Sequence, residues 1–489
     1  MKRREVLRLC GAGLSTGLAW PWLGACNKAE DPGPAIRYEG TVAIIGAGAA
    51  GLYAGDILYS QGLDVVIFEA SGRPGGRVQT FNPGSEPSSS LFFDPENLLN
   101  YDFPLELGAE KIYGAGSAWG QLANKLDVPV IEVRSSAPQD RYLLDKSLQS
   151  DSTLTNDTAY QSAKNFFNAL IQFAGRPDLT VAEAIQNAGI DAHVHAILNS
   201  WIGNRYGTSN DRLGIAALAE ALTLKTHGGI PWMLKGNAME SVLFSGFSKV
   251  MGKVQLNTAI QSIDYSGERI ALIDQHGKTT LADKVIVTVP VSILSSGDIL
   301  FTPELPAEKV SAMQSIGMDA SVRMALGFKK NIWGNDVAFL LGGQVAPEYF
   351  NCGAGRTHLL DNKFLNVTIH GQAAEALSAM GANMVDAVIA ELDETLDGQA
   401  SLQALRGKDE SILFVAKDWS KDPWIKGGIS YLKPGGSNED RIALAAPVGD
   451  RLFFAGEATD TKGDAGTVSG ALQSAARAAQ EIIDSILVS

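Results

Sequence analysis

A glycine-rich segment near the amino end carries the clearest chemical signal in the sequence. Gly46, Gly48 and Gly51 form a GxGxxG spacing, and the acidic residue Glu69 follows 18 positions after Gly51. Glycines at this spacing allow a tight turn and the close approach of a pyrophosphate, and a carboxylate at this distance accepts hydrogen bonds from a ribose. The pattern therefore predicts a dinucleotide-binding site.

The segments around these residues have the order that such a site requires. The apolar, β-branched run 41–45 predicts a buried strand, the residues from the glycines to about position 60 predict a helix, and the run 63–68 predicts a second buried strand. A helix that begins at the glycines directs unpaired N–H groups and the positive end of its dipole toward a phosphate. A glycine-rich turn without a ligand would leave Glu69 unexplained.

Two further parts of the sequence resemble motifs of the flavin amine oxidase family. Residues 73–77, RPGGR, resemble the second fingerprint of FAD enzymes of this type, whose last arginine lies near the pyrophosphate. Residues 451–459 and 466–471 resemble the closing motif of the family. In that motif the acid at Glu457 contacts the ribityl or phosphate region, and Val468 offers its N–H to the flavin. The resemblance indicates FAD rather than NAD.

The resemblance continues between these ends, so it covers nearly the whole chain after the glycine segment. Residues 254–258 resemble the strand that passes the adenine, 283–290 the strand before the crossover, and 422–431, with Trp419, the segment that lines the flavin. No cysteine stands near Gly427, so the FAD is expected to be bound non-covalently. The cofactor-binding residues implied are Gly46, Gly48, Ala50, Gly51, Glu69, Ala70, Gly76, Arg77, Gly108, Ala109, Glu110, Val254, Trp424, Glu457, Thr467 and Val468.

The family fold implied by this resemblance is α/β and discontinuous in sequence. It combines a Rossmann-like FAD-binding domain with a second, α+β substrate domain, and helical patterns such as the one at 160–173 belong to the second domain. The expected segments are 38–113, 232–297 and 424–489 for the FAD-binding domain, and 114–231 and 298–423 for the substrate domain.

Two cationic residues are the candidates for catalysis at the substrate side. The resemblance aligns Arg323 with a lysine that holds a water near flavin N5 in many members, although a misalignment would leave Arg323 at the surface. Residues 105–114 align with a motif that faces the isoalloxazine ring, and L-amino-acid oxidases carry a carboxylate-binding arginine where Lys111 falls. Lys111 therefore either binds a substrate carboxylate or pairs internally with Glu110 or another acid.

The remaining positions of the implied substrate site depart from those of monoamine oxidases. Ile429 and Thr467 occupy the places where those enzymes often carry a pair of aromatic side chains, and Tyr113 completes the predicted substrate contacts. Arg323 departs as well, because an arginine stays protonated and is bulkier than lysine. Fast reaction with dioxygen therefore does not follow from the resemblance.

The activity implied is oxidation of the CH–NH bond of an amine or amino acid. In the family, hydride passes from the carbon that bears a neutral amine to the flavin, the imine hydrolyses, and dioxygen or another acceptor takes the electrons. Two alternatives remain open. One is a related FAD enzyme of the desaturase or protoporphyrinogen oxidase kind, and the other is an FAD-binding lipoprotein without turnover.

Composition and charge limit the remaining classes of function. The 489 residues are 45% hydrophobic and 19% charged, which is enough apolar material for two or more packed domains. A formal net charge of −14 opposes binding to nucleic acid phosphate, so no nucleic-acid partner is expected. No metal site is predicted either.

The first 25 residues have the pattern of an export signal. Arg3 and Arg4 precede an apolar run from Leu9 to Leu23, which is typical of a twin-arginine signal. Residues 23–26, LGAC, resemble a bacterial lipoprotein cleavage box, in which Cys26 would be acylated. A transmembrane helix fits less well, since the run holds about 15 residues where about 20 are needed.

Cleavage before Cys26 would leave a lipid-anchored and acidic chain. Residues 1–25 carry a net charge of +3, so the remaining chain would carry −17. Residues 26–37 would form a tether to the folded part, and Cys352 would be the one remaining thiol, so no intrachain disulfide is expected. The sequence thus predicts an exported protein anchored in the periplasm or at the outer membrane.

Replacement of Arg3 and Arg4 by lysine should leave the protein in the cytoplasm, because flavoproteins bind FAD as they fold and the twin-arginine route carries folded cargo. Cell fractionation measures this, and normal export of the variant would contradict the assigned route. Cys26→Ser should release the mature chain from membranes.

Overall fold

Parallel strand pairing brings the predicted glycine segment and its acid to the same edge of a sheet. A computed structural model describes residues 37–81, 91–93, 104–135, 139–356 and 363–487. The predicted signal at 1–25, with Arg3, Arg4 and Cys26, lies outside these residues, as does nearly all of the tether. Residues 36–489 form a single compact unit.

The β-strands of the described residues are mostly short. They are β1 (Thr41–Ile45), β2 (Asp64–Phe68), β3 (Thr80–Phe81), β4 (Leu91–Phe93), β5 (Leu105–Glu106), β6 (Ile112–Tyr113), β7 (Val130–Glu132), β8 (Gln139–Leu144), β9 (Ser147–Ser150), β10 (Pro231–Leu234), β11 (Val254–Gln255), β12 (Ile260–Asp264), β13 (Ile270–Asp274), β14 (Thr279–Ala282), β15 (Lys284–Val287), β16 (Leu300–Thr302), β17 (Ile316–Met318), β18 (Ser321–Gly327), β19 (Val337–Leu341), β20 (Glu348–Asn351), β21 (Phe364–His370), β22 (Phe414–Asp418), β23 (Ser430–Leu432) and β24 (Leu452–Phe454).

The α-helices gather between the strands and at the C-terminal end. They are α1 (Ala49–Ser60), α2 (Ala118–Lys125), α3 (Thr158–Asn168), α4 (Val181–Asn187), α5 (His195–Trp201), α6 (Ile215–Leu224), α7 (Met239–Gly246), α8 (Ser248–Met251), α9 (Val291–Ser296), α10 (Ala307–Ser315), α11 (Gly371–Met380), α12 (Met384–Thr395), α13 (Gln399–Gln403), α14 (Asn438–Ala445) and α15 (Val468–Leu487). No helix of the described residues combines the length and apolar composition that crossing a membrane requires.

A five-stranded parallel sheet forms the cofactor-binding half of the fold. Its order is β11-β2-β1-β15-β24, and Ile45 lies opposite Phe68. Strands buried on both faces need continuous apolar sequence, and Val42 and Ile44 have no exposed surface. Helices α1 and α15 pack against this sheet and against each other. The register places Gly46 and Glu69 side by side at the carboxyl ends of the two strands.

A mixed eight-stranded sheet forms the other large layer. Its order is β4-β22-β18-β21-β20-β19-β8-β9, and a core that includes Val322, Met324 and Val367 lies against α11 and α12. Arg323 lies opposite Thr368 in the antiparallel pair of β18 and β21. This register places polar residues of two strands on the face that looks toward the first sheet.

Strand pairing departs from the expected domain segments at two places. Strand β4, within 38–113, pairs with β22 of the eight-stranded sheet. Strand β16 lies beyond residue 297 but pairs in parallel with β12 of a four-stranded sheet beside the FAD-binding layer. Both strands are short, and their partners come from distant parts of the chain, so local sequence pattern does not reveal these pairings.

A carboxylate on α12 holds the loop that leads into β20. Glu391 accepts hydrogen bonds from the backbone N–H groups of Gln344, Val345 and Ala346 at 2.6–2.9 Å, and from the hydroxyl of Tyr349 at 2.7 Å. Four donors on one carboxylate leave the loop little freedom. The first residue of β20, Glu348, is therefore placed by an interaction outside its own strand.

Glu391→Ala should lower the free energy of unfolding by about 2–4 kcal/mol, because the loop donors lose their acceptor. Urea denaturation followed by tryptophan fluorescence measures the change. Glu394→Ala is the matched control, since Glu394 is exposed on the same helix and should shift stability by less than about 0.5 kcal/mol. Equal effects of the two variants would contradict the assigned role.

Candidate active site

The glycine segment forms a tight turn at the start of α1. Gly46 has φ +105°, a conformation that side chains rarely adopt, and a Cβ on Gly51 would lie 1.9 Å from the Gly46 carbonyl oxygen. A Cβ on Gly48 would meet only open space. The helix therefore begins directly against the turn, with room for a ligand at Gly48.

The start of α1 has no side-chain cap. Its N-cap residue, Gly48, makes no capping hydrogen bond, and the first helical N–H with a backbone partner is that of Leu52, bonded to the Gly48 carbonyl at 3.0 Å. Unpaired N–H groups at a helix start attract a phosphate. The local geometry fits the pyrophosphate of a dinucleotide.

The predicted ribose acid, Glu69, lies next to this turn. Its carboxylate accepts the Ala47 N–H at 2.8 Å and both the N–H and the hydroxyl of Ser71, at 3.0 and 2.7 Å. The side chain is buried, which makes these hydrogen bonds strong and fixes the carboxylate at the mouth of the strand pair. Ala70, the next residue, lines the same cavity.

The ion pair between Arg77 and Glu457 joins the two predicted fingerprints. Arg77 Nη1 donates to Glu457 Oε1 at 2.7 Å and to the Gly428 carbonyl at 2.8 Å. Glu457 also accepts the Ser430 hydroxyl at 2.6 Å and the Gly466 N–H at 2.7 Å. Burial alone would raise the pKa of Glu457, but Arg77 and the hydrogen bonds hold it below its ordinary value.

One cavity of about 610 Å³ runs from the glycine turn to the eight-stranded sheet. This volume lies within the usual range for ligand pockets. Gly51 packs against the turn rather than lining the cavity, and Val254 does not line it either. The other predicted residues line it: Gly46, Gly48, Ala50, Glu69, Ala70, Gly76, Arg77, Gly108, Ala109, Glu110, Lys111, Tyr113, Arg323, Trp424, Ile429, Glu457, Thr467 and Val468.

Val254, the predicted adenine contact, lies several residues before the part of its segment that reaches the cavity. Val254 stands on β11, at the edge of the parallel sheet, where it pairs with Ile67 of β2. The chain then crosses the end of β2, where the Thr258 N–H donates to the Glu69 carbonyl at 2.8 Å. Residues 258–261 line the cavity. The structure therefore brings the segment after the strand, rather than Val254 itself, to the cavity.

A buried cluster of charges forms the wall at the substrate side. Lys111 Nζ lies 2.7 Å from Glu348 and 3.2 Å from Glu110. Arg323 Nη1 lies 3.5 Å from the same oxygen of Glu110 and donates to the Thr368 hydroxyl at 2.5 Å. The side chain of Arg323 is 15% exposed, so it lies in the cavity wall and not at the surface.

The cluster contains two cations and two anions, so its charges balance. Burial opposes the charge of Lys111, but Glu348 and Glu110 outweigh it and raise the pKa of the ammonium. Burial also opposes the charge of Glu348, and Lys111 more than compensates, which lowers the pKa of that carboxyl. Of the two interpretations of Lys111, the structure has the internal pairing, with Glu348 as the nearer partner.

His370 lies at the same wall and is neutral. Burial, reinforced by the charge of Arg323, lowers the pKa of His370 to about 3. Its Nδ1 has no hydrogen-bond partner among the described residues, and the ring lies against Gly428, where an added Cβ would come within 2.9 Å of Nδ1. His370 is therefore an unused polar group beside the segment that Arg77 holds.

Sequence reasoning missed three of these wall residues: Glu348, Thr368 and His370. Thr368 and His370 lie on β21, which reaches Arg323 only through the register of the eight-stranded sheet. Glu348 is the first residue of β20, and the sequence around it matches none of the motifs that carry the family resemblance. The one signal in the sequence was the charge of Lys111, because a buried ammonium requires an acidic side chain nearby.

These features fit the binding of a dinucleotide. Uncapped N–H groups face the cavity at α1, and the N–H of Val468, at the start of α15, has no acceptor among the described residues. An acid for the ribose and a second fingerprint arginine complete the binding set. FAD is the cofactor, and it is bound non-covalently.

Comparison with known proteins gives the family. The family model "Flavin containing amine oxidoreductase" matches residues 49–211 and 237–483. The chain therefore belongs to this family.

Curated relatives at about a quarter identity include histone demethylases and a polyamine oxidase. "Lysine-specific histone demethylase 1 homolog 2" of Oryza sativa is 26% identical over 470 residues, which are 91% of this chain and 57% of that protein. "Polyamine oxidase 3" of the same species is 24% identical, over 90% of this chain and 88% of that protein. The chain thus spans little more than half the length of the demethylases it matches.

Solved structures with the same fold include two amine oxidases. A putrescine oxidase bound to putrescine has a TM-score of 0.74 at 19% identity, over 91% of this chain and 99% of that chain. The cyclohexylamine oxidase of Brevibacterium oxydans has a TM-score of 0.71 at 19% identity, with the same coverage. At this identity the likeness shows the fold alone.

Glu69→Ala should weaken FAD binding by about 1.5–3 kcal/mol, because the variant loses a charge-assisted hydrogen bond to the ribose. Fluorescence titration of the apoprotein with FAD measures the dissociation constant. Glu268→Ala, at an exposed position of the same layer, is the matched control and should bind FAD as the unaltered protein does. An unchanged dissociation constant in Glu69→Ala would contradict the ribose contact.

Proposed function

We propose that this protein oxidises the CH–NH bond of a small amine or amino acid. The observation that supports this most directly is the charge balance of the wall at Lys111, Glu348, Glu110 and Arg323. An amine gives up hydride readily only when its nitrogen is unprotonated. An unpaired carboxylate in the wall would stabilise the ammonium form, whereas both carboxylates here are already paired.

The side chains of the wall support a neutral amine in other ways. His370 is uncharged at ordinary pH, so it adds no charge to the balanced wall. Ile429 and Tyr113 add apolar surface, which excludes water from the reacting carbon. These residues orient and desolvate the substrate, and no residue has to act as a strong base.

Apart from water, the reaction requires only an electron acceptor. The amine carbon loses a hydride and the nitrogen a proton, which leaves an imine that water hydrolyses to a carbonyl compound and ammonia or an amine. Bound FAD supplies the acceptor for the hydride and passes the electrons to dioxygen or another acceptor.

The names of the relatives favour small amines over a protein substrate. The polyamine oxidase matches along 88% of its length, whereas this chain spans little more than half of the histone demethylase. Twin-arginine export and a lipid anchor at Cys26 would place the activity outside the cytoplasm, away from histones. Both parts of that location are proposals that rest on the sequence pattern.

Anaerobic mixing of the holoprotein with a panel of amines and amino acids tests the function. At least one compound should bleach the oxidised flavin spectrum, with the imine-derived carbonyl compound as product. Failure of the whole panel would sink amine oxidation. Reduction by a cyclic hydrocarbon or porphyrinogen instead would identify the desaturase or porphyrinogen alternative, and a flavin reduced only by dithionite would leave a binding protein without turnover.

Arg323→Lys should speed the reaction of reduced enzyme with dioxygen, because it restores the residue that holds a water near flavin N5 in many relatives. Stopped-flow mixing of photoreduced protein with oxygenated buffer measures the oxidative half-reaction, and the reductive half-reaction should change less. Arg212→Lys is the matched control, since Arg212 makes its ion pairs with Asp319 and Glu375 away from this wall. Unchanged oxidation of Arg323→Lys would dispose of this role.

A further inference from the structure

Arg205 is a cation in the cavity wall that forms no ion pair with any residue that the structure describes. It lines the cavity, and among the described residues no carboxylate lies within 4.0 Å of it. Its one hydrogen bond goes from Nη2 to the Gly229 carbonyl, at 3.1 Å. A guanidinium has five N–H donors in a rigid fork. Most of the donors of Arg205 are therefore unused.

The other cations of the cavity wall are committed elsewhere. Arg441 also lacks a carboxylate within 4.0 Å, but it donates to the Ser430 hydroxyl and to the Ala458 carbonyl, both at 2.9 Å. The remaining cations of the described wall each have an acid within 4.0 Å: Arg77, Lys111, Lys225, Arg323 and Lys426.

The carboxylates whose charges act on Arg205 are paired with other cations. Glu348 and Asp140 both act on its guanidinium electrostatically, yet Glu348 lies 2.7 Å from Lys111, and Asp140 lies 2.8 Å from Arg134. Below the guanidinium lies the Tyr113 ring, at 5.0 Å from its carbon to the ring centroid. The tyrosine supports the cation from one face and leaves its edge open.

The turn that carries Arg205 is braced against the substrate wall. Its neighbour Asn204 donates to the Thr368 carbonyl at 3.1 Å and accepts the His370 N–H at 2.8 Å. The turn ends at Gly207, where a Cβ would lie 2.2 Å from a side-chain carbon of Ile429. These contacts fix the position of Arg205 relative to the charge cluster and to Ile429, the predicted substrate contact.

We propose that Arg205 binds the carboxylate of the substrate, so that the enzyme acts on amines that also carry a carboxylate, the amino acids. A planar guanidinium with free N–H groups can donate two parallel hydrogen bonds to the two oxygens of a carboxylate. The carboxylate of the substrate would supply the negative charge that no described side chain places within 4.0 Å of Arg205. This inference rests on the proposed amine oxidation, and it moves the carboxylate site from Lys111, whose charge is already balanced, to Arg205.

Ligand binding without turnover tests the site independently of the reaction. Benzoate and its neutral isostere benzamide serve as probes, and the perturbation of the flavin absorbance spectrum reports binding to the holoprotein. The unaltered protein should bind benzoate more tightly than benzamide. Arg205→Gln should raise the benzoate dissociation constant by about tenfold to a hundredfold and leave that of benzamide unchanged. Arg205→Lys should show a smaller loss, because it keeps the charge without the fork.

Arg176→Gln is the matched control. Arg176 is an exposed arginine over the ring of Phe173, at 5.4 Å, and lies outside the cavity wall. Its replacement should leave both probes unaffected. FAD content and thermal melting of each variant show whether the fold is kept. Should Arg205→Gln lose its FAD, the test is carried by Arg205→Lys and by the contrast of benzoate with benzamide on the unaltered protein.

Anaerobic flavin reduction then connects the site to the substrate. Each α- or ω-amino acid is compared with the amine that lacks its carboxylate, and the unaltered protein should be half-saturated at a lower concentration of the acid. Arg205→Gln should remove that preference. Equal binding of benzoate and benzamide, or a benzoate constant that Arg205→Gln does not change, would overturn the proposal. If no amine reduces the flavin but benzoate binding still depends on Arg205, the anion site stands and amine oxidation fails.

Discussion

The buried carboxylate of Glu457 is the interaction on which the arrangement of the cofactor site depends. It accepts hydrogen bonds from Arg77, Ser430 and Gly466, which belong to three separate parts of the chain. Because a buried acid is costly without partners, the three segments must meet for its charge to be tolerated. The second fingerprint loop, the flavin-lining segment and the start of α15 are thereby brought to one place.

The same constraint governs the substrate wall. Glu110 and Lys111 precede β6, Glu348 begins β20 and Arg323 lies in β18. All four side chains are largely buried, so each charge is stable only beside an opposite one. Because these four charges are paired, the wall exerts little net electrostatic field at the place where, in the proposed reaction, an amine loses its proton. Arg205 lines the same cavity with no carboxylate within 4.0 Å among the described residues and one hydrogen bond to them, an arrangement that suits a charged ligand better than a structural role.

The parallel unit that binds the dinucleotide could be predicted almost completely from the sequence. Its signals are local: an apolar strand, glycines that alone can adopt the turn at Gly46 and Gly51, a helix, and an acid after the next strand. The pattern did not show that the chain passes from Val254 across the end of β2 before it reaches the cavity at residues 258–261. Outside a motif, the periodicity of apolar residues does not show where a strand ends and the next turn begins.

The sequence by itself determined the family and the cofactor, because these depend on short-range spacing and on residue types that few other structures require. The charges of the substrate wall were decided only by the tertiary structure. Glu348 reaches Lys111 through a loop held by Glu391, and Thr368 and His370 reach Arg323 through the register of β18 and β21. The pairing of Lys111 follows from its contact with Glu348, 237 positions away, and the turn that carries Arg205 is held by the hydrogen bond from Asn204 to Thr368, 164 positions away.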